Sequence, residues 1–140
     1  MMAVDRLYQE VIMRHAGNPI GLGGLEGDGV ITEKRNPLCG DTVRLRHDHD
    51  HILGAEARGC ALCMASTSIM AQSVGKHGVA IIVPTHDWLE GLMAKSPKVN
   101  LAELFGDDRD ALAVVKDVRA RMQCVSLPWL LAKEVFDHER

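Results

Sequence analysis

Aromatic residues are scarce in this chain of 140 residues, which has two tryptophans, two phenylalanines and one tyrosine. Aromatic rings therefore cannot dominate the core, and aliphatic side chains and seven methionines must fill it. Long apolar runs are also missing, since the longest, residues 79–84, is far shorter than the roughly 20 residues that cross a bilayer. Neither charge sign dominates: 16 basic residues stand against 19 acidic ones, so nucleic acid is not expected as a partner.

The composition that remains, 46% hydrophobic and 25% charged, is that of a folded globular protein. No signal peptide is recognisable, because Asp5, Arg6 and Glu10 precede any long apolar stretch. We therefore expect a cytoplasmic protein without a membrane partner, in which residues 1–140 form one domain. The chain has four cysteines, and in a reducing compartment these favour metal binding or reactive thiols over disulfides.

The residue patterns predict an α+β fold, in which helices cover mainly one face of a three-stranded antiparallel sheet. Alternating polar and apolar residues with short links predict strands at residues 29–35, 41–47 and 51–58. Helical spacing of apolar residues predicts helices at residues 4–15, 61 to about 75, 86–94, 100–105, 107 or 108 to about 115, and 125–136. Pro128 is expected in the first turn of the last helix, where its missing N–H matters little.

Three of the four cysteines lie where predicted elements begin or end. Cys39 lies between the first two strands, Cys60 precedes the helix that begins near residue 61, and Cys124 comes just before the last helix. A thiol at a helix N-terminus has a lowered pKa and is more often the thiolate that binds metals. Asp41 adds an oxygen donor, and Gly40 can let the backbone turn tightly between Cys39 and Asp41.

Three thiolates and one carboxylate would complete a tetrahedral zinc site. However, the gaps between Cys39, Cys60 and Cys124 match no zinc-finger spacing. Free cysteines are also often nothing more than small buried hydrophobic residues. From the spacing alone, both interpretations stay open.

Four segments of the chain form a signature when they are taken in order: YQEVIMRHAGNP (8–19), NPLCGD (36–41), GCALCMASTSIM (59–70) and ARMQCVSL (120–127). Together they resemble the U-type iron–sulfur cluster assembly proteins, which include SufU, IscU and the N-terminal domain of NifU. The resemblance extends over nearly the whole chain. It implies a compact α+β fold whose metal site, at an exposed tip, consists of Cys39, Asp41, Cys60 and Cys124.

The resemblance also implies a function in iron–sulfur cluster assembly, with either zinc or a nascent [2Fe–2S] cluster at that site. The implied partners are a pyridoxal-phosphate cysteine desulfurase that delivers persulfide sulfur, and downstream scaffolds or target apoproteins. Arg121 and the long segment 84–117 are more similar to SufU, and Gln123 stands where IscU-like members have histidine. A SufU-like protein is a zinc-bound sulfur acceptor, with Cys39 as the first acceptor, Cys124 as the next and Arg121 supporting the site by its charge. The alternative is a non-enzymatic scaffold that assembles a [2Fe–2S] cluster on the same residues.

Two further patterns have competing interpretations. Cys60 and Cys63 form a C-x-x-C at a helix start, which is the pattern of a dithiol oxidoreductase. Cys63 could also be a fifth donor or a resolving thiol. We favour the interpretation in which Cys63 takes no part in the chemistry. His47, His49 and His51 would share one face of a continuous strand and could bind a transition metal there. We favour a tight turn at residues 48–50, which would leave them on a solvated hairpin tip.

Overall fold

The computed structural model describes residues 3–19, 24–38, 40–93, 105–117 and 119–137. Its sheet has three antiparallel strands in the order β1-β2-β3, namely Val30–Arg35, Thr42–His47 and Ile52–Arg58. Arg35 pairs with Thr42, and Thr42 pairs with Arg58. The end of β1, the start of β2 and the end of β3 therefore lie side by side, at the end of the sheet that leads into the loop 36–41 and into Cys60.

Four α-helices accompany the sheet: α1 (Ala3–Gly17), α2 (Ala61–His77), α3 (Ile82–Met93) and α4 (Met122–Asp137). Shorter 3-10 helices cover Val79–Ile81, Asp108–Asp117 and Arg119–Arg121. This arrangement confirms the predicted α+β class, and each strand begins within one residue of its predicted start. None of the described helices is long and apolar enough to cross a membrane.

The helices pack on one face of the sheet. On that face Val43, Leu45 and Ala55 have no exposed surface. On the other face Arg44 is exposed, and its guanidinium lies 2.6 Å from the carboxylate of Glu33 on the neighbouring strand. This alternation along β2 is the reason that its sequence predicts a half-buried strand.

The structure corrects the start of the last helix. Helix α4 begins at Met122 rather than at residue 125, so Cys124 lies inside its first turn and Pro128 lies in its interior. A proline nitrogen cannot donate to the carbonyl four residues before it, which makes an interior position unfavourable and explains the late predicted start. Helix α4 is nevertheless held in place by burial, because Trp129 and Ala132 are completely buried and Leu131 nearly so.

Two other predicted helices also differ from the structure. Helix α3 begins at Ile82 rather than residue 86, since Pro84 falls in its first turn, where proline is tolerated. The segment that begins after Asp107 is a 3-10 helix, Asp108–Asp117, and the Asp107 carboxylate accepts the backbone N–H of Arg109 at its start, as a cap should. The predicted helix at 100–105 lies outside the described residues except for Phe105.

The segment 105–117 is fastened to the helices through buried polar groups. His15, only 1% exposed, contacts Ser68 Oγ at 2.7 Å through Nδ1 and Asp108 Oδ2 at 2.8 Å through Nε2. Arg109 is also buried and donates to the hydroxyl of Thr85 at 3.0 Å. The segment 105–117 thus packs against α1, α2 and α3.

A buried hydroxyl joins α2 to α4. Ser66 Oγ donates to the backbone carbonyl of Val125 at 2.6 Å and accepts the indole N–H of Trp129 at 3.0 Å. Ser66, Val125 and Trp129 have no exposed surface. Because Cys60 immediately precedes α2 and Cys124 lies in the first turn of α4, this contact determines how the two cysteines face each other.

We expect Ser66→Ala to lower the free energy of unfolding by about 1–3 kcal/mol, since it leaves the buried indole N–H of Trp129 without its acceptor. Chemical denaturation measures the change. Ser126→Ala is the control, because the Ser126 hydroxyl makes only a 3.5 Å contact with the carbonyl of Gln123. That control should change stability by less than about 0.5 kcal/mol. Equal effects of the two substitutions would contradict the role given to Ser66.

Candidate metal centre

The loop between β1 and β2 is shaped by Asn36, which is buried. Its backbone N–H donates to the carbonyl of Asp41 at 2.8 Å, and its carbonyl accepts the N–H of Gly40 at 2.7 Å. Its side-chain oxygen accepts the N–H of Leu38 at 3.0 Å. Gly40 has a φ of 79°, so the tight turn expected there is present. Cys39, the predicted ligand and sulfur acceptor, lies outside the described residues.

Asp41 is directed from this loop towards the start of α2. Its side chain is 4% exposed, and its Oδ1 accepts the backbone N–H of Cys60 at 3.3 Å. Its Oδ2 lies 3.7 Å from Cys60 Sγ, within reach of the thiol hydrogen. Cys60 is the N-cap residue of α2, so the carboxylate and the thiol meet at the N-terminus of that helix.

Cys124 completes the group from the first turn of α4. The carboxylate of Asp41 and the sulfurs of Cys60 and Cys124 offer ligand atoms that all lie within 4.8 Å of one another. In a tetrahedral zinc site, sulfur at about 2.3 Å and oxygen at 2.0–2.2 Å leave neighbouring ligand atoms roughly 3.5–3.8 Å apart. The observed Asp41–Cys60 separation of 3.7 Å is in that range. The three donors therefore fit one zinc ion with a fourth position left for another ligand.

Arg121 lies beside this group on the 3-10 helix that precedes α4, and it is exposed to solvent. Its pKa is raised above its ordinary value, chiefly by a side-chain hydrogen bond with Cys124, and further by the charges of Cys60, Cys124 and Asp41. The guanidinium of Arg121 thus interacts with all three predicted ligands that the structure describes. That Arg121 supports the site by its charge stays a prediction.

Cys63 does not belong to this group. It lies in the first turn of α2 and has no exposed surface, whereas Cys60 is half-buried. Thiol–disulfide exchange requires an accessible thiolate. The burial of Cys63 therefore argues against a dithiol oxidoreductase that uses Cys60 and Cys63.

The three neighbouring histidines lie around a turn, as favoured above. The Asp48 carboxylate accepts the backbone N–H groups of Asp50 and His51 at 2.8 and 2.7 Å, which closes the link between β2 and β3. His47 instead contacts the Thr32 hydroxyl at 2.8 Å. Within the described part of the chain, the only group of three possible metal ligands is Asp41, Cys60 and Cys124.

Gly59 is a positioning residue that sequence reasoning missed. A Cβ atom added to it would collide with the carboxylate of Asp41. Glycine at this position therefore leaves the space into which the carboxylate reaches. The signal in the sequence is a glycine directly before a candidate ligand. Only the fold shows that the missing side chain makes room for Asp41, which comes from another loop.

Comparison with known proteins identifies the family. The sequence profile of the NifU-like N-terminal domain matches residues 7–125, which is most of the chain. The chain belongs to the NifU-like N-terminal domain family. The resemblance to U-type iron–sulfur assembly proteins is thereby confirmed.

Two relatives of this NifU-like domain bear informative names. The zinc-dependent sulfurtransferase SufU of Bacillus subtilis (strain 168) is 32% identical over 130 residues, which cover 90% of this chain and 86% of the relative. The iron–sulfur cluster assembly scaffold protein IscU of Streptococcus pyogenes serotype M1 is 28% identical over 136 residues, which cover 94% and 83%. The alignments therefore span most of each protein.

Solved structures share the fold of this NifU-like domain. The N-terminal part of a NifU-like protein from Brucella abortus superposes with a TM-score of 0.75 at 24% identity, over 94% of this chain and 93% of that one. A SufU protein from Fervidobacterium islandicum AW-1 gives a TM-score of 0.69 at 25% identity, over 93% and 96%. The arrangement of sheet and helices is therefore that of the family.

We expect Gly59→Ala to weaken zinc binding roughly 10–100-fold, the usual effect of disturbing the surroundings of a metal ligand. The added methyl group would push the Asp41 carboxylate out of its place. Competition with a chromogenic zinc chelator measures the affinity.

Gly75→Ala in α2 is the matched control, since a Cβ there would meet nothing within 4 Å. It should leave zinc affinity unchanged and slightly favour the helix. An unchanged affinity in Gly59→Ala would show that Asp41 does not bind the metal.

Proposed function

We propose that the chain is a zinc-bound sulfur acceptor that takes sulfur from a cysteine desulfurase during iron–sulfur cluster assembly. The observation that carries the proposal is the convergence of Asp41, Cys60 and Cys124 from three separate segments onto one point. The name of the Bacillus subtilis relative, a zinc-dependent sulfurtransferase, supports it. Cys39, two residues before Asp41, would be the fourth ligand.

Bound zinc would keep its cysteine ligands deprotonated and would link three segments of the chain, adding to stability. Arg121 places a cation beside the same sulfurs, with a side-chain hydrogen bond to Cys124. A poised thiolate is the form that attacks a sulfur electrophile.

In the proposed transfer, the thiolate of Cys39 attacks the outer sulfur of a persulfide on the desulfurase cysteine. The S–S bond of the donor breaks and the donor cysteine leaves as a thiolate, while a new S–S bond makes Cys39 the persulfide. One S–S bond breaks and one forms, so neither an oxidant nor a reductant is needed. Cys124 is the next candidate for the acceptor, and Arg121 would stabilise the negative charge during the exchange.

The proposed setting follows from this chemistry. Cysteine thiols stay reduced in the cytosol, which supports the cytoplasm as the location. A SufS-like desulfurase would supply the sulfur, and a downstream scaffold or target apoprotein would receive it. We propose that the chain acts here as one domain.

A scaffold that assembles a [2Fe–2S] cluster is the second candidate. The 28% identity to a protein named as an IscU scaffold supports it, and iron–sulfur clusters are also held by thiolates. Anaerobic reconstitution with iron and sulfide distinguishes the two functions. A stable visible chromophore would favour the scaffold, whereas sulfur uptake with zinc still bound would favour the acceptor.

We expect the zinc-loaded protein to gain one sulfur atom when it is mixed with a cysteine desulfurase and cysteine, as intact-protein mass spectrometry would show. Cys39→Ser should abolish this gain, because a hydroxyl is not ionised at neutral pH. Cys63→Ala is the matched control and should accept sulfur as the original protein does, since Cys63 is completely buried.

The same experiment can contradict the proposal in two ways. If the unaltered protein gains no sulfur from the desulfurase, it is not a sulfur acceptor. If Cys39→Ser still gains sulfur and Cys124→Ser does not, the acceptor is Cys124 rather than Cys39.

A further inference from the structure

A cavity of about 310 Å³ opens next to the metal centre, between the end of β1, α3 and the first turns of α4. Pro37, Leu127 and Leu130 supply apolar walls, and Arg35, His86 and Gln123 supply polar groups. Pro37 stands two residues before Cys39, and Gln123 directly precedes Cys124. The cavity is therefore continuous with two of the segments that form the metal centre.

His86 is an unusual residue in the wall of this cavity. Its side chain is 5% exposed, and its Nδ1 is buried with no hydrogen-bond partner among the described residues. An unsatisfied buried polar atom destabilises a fold, so few are found in native proteins. A histidine of this kind has a hydrogen-bonding group that a bound partner could use.

The rim of the cavity next to the metal centre is positively charged. Arg35 is exposed and forms no ion pair with a described residue, whereas its neighbour Lys34 pairs with Glu134 at 3.1 Å. A Cβ atom added to Gly40 would lie 3.8 Å from Arg35 Nη2, so this guanidinium lies beside the loop 36–41. On the α3 side, Glu90 is the single carboxylate among the lining residues.

We propose that this cavity is the docking site for a segment of the sulfur-donating enzyme that carries a bulky apolar side chain next to a carboxylate. The apolar side chain packs on Pro37, Leu127 and Leu130, and the carboxylate pairs with Arg35 and hydrogen-bonds to His86. The inference rests on the proposed function, because a protein that delivers sulfur to the loop 36–41 must also lie over the cavity. The volume is near the lower limit of about 300 Å³ for small-molecule sites, which suits one or two side chains.

The test measures how the zinc-loaded protein stimulates a cysteine desulfurase, as a function of its concentration. His86→Phe keeps a ring of similar size but removes both ring nitrogens, and Arg35→Glu reverses the charge at the rim. Each should raise the half-saturating concentration about tenfold or more, while the maximal rate and the zinc content stay unchanged. Glu90→Gln should lower the half-saturating concentration, since it removes a charge that repels the incoming carboxylate.

Matched controls place the same substitutions away from the cavity. His51→Phe alters an exposed histidine on the turn between β2 and β3, at the opposite end of the sheet. Arg6→Glu reverses an exposed charge on α1. Both should leave the half-saturating concentration unchanged. His86→Phe should also not lower the melting temperature, because it removes an unsatisfied buried atom, and this separates lost docking from lost folding.

The outcomes distinguish the two proposals. If the unaltered protein stimulates the desulfurase and the cavity variants half-saturate at the same concentration as it does, the docking site is wrong and the proposed function stands. If Arg6→Glu weakens stimulation as much as Arg35→Glu, both variants act through the overall charge of the protein, and the docking site is wrong. If the unaltered protein neither stimulates the desulfurase nor gains sulfur, both proposals are wrong.

Discussion

The hydrogen bonds of one buried hydroxyl hold the arrangement on which the rest of the structure depends. Ser66 joins α2 to α4 through the carbonyl of Val125 and the indole of Trp129. Cys60 stands at the start of the first helix and Cys124 in the first turn of the second. A shift of one helix along the other would therefore separate the two sulfurs. Small residues along α2 permit this close packing.

The same geometry suits a protein that must hold a metal and also meet a partner. Asp41 and Cys124 are largely buried, which orients them, whereas Cys60 is half-buried and the adjoining Gly40 and Arg121 are exposed. The candidate ligands come from the ends of packed elements, which would preorganise them for one ion. The exposed side leaves room for a protein that carries sulfur.

Sequence patterns predicted the strands and the class of fold, because alternation and short links are local signals. They did not predict the start of α4, since Pro128 suggests a helix beginning nearby and only burial shows that it lies in the interior. Cys60 and Asp41 were predicted as ligands through a family resemblance, and their proximity is a result of strand register. Gly59 and His86 were not predicted, because their importance depends on which distant residue lies against them.

The most direct test of the central claim, that these residues hold one zinc ion, is zinc K-edge X-ray absorption of the protein purified without chelators. We expect one zinc per chain with three sulfur ligands at about 2.3 Å and one oxygen ligand at 2.0–2.2 Å. In the Asp41→Ala variant, the oxygen from the carboxylate should be replaced or lost while the three sulfurs remain. Four sulfur ligands, which would require Cys63, or nitrogen and oxygen ligands alone would contradict the claim that these residues hold the zinc ion.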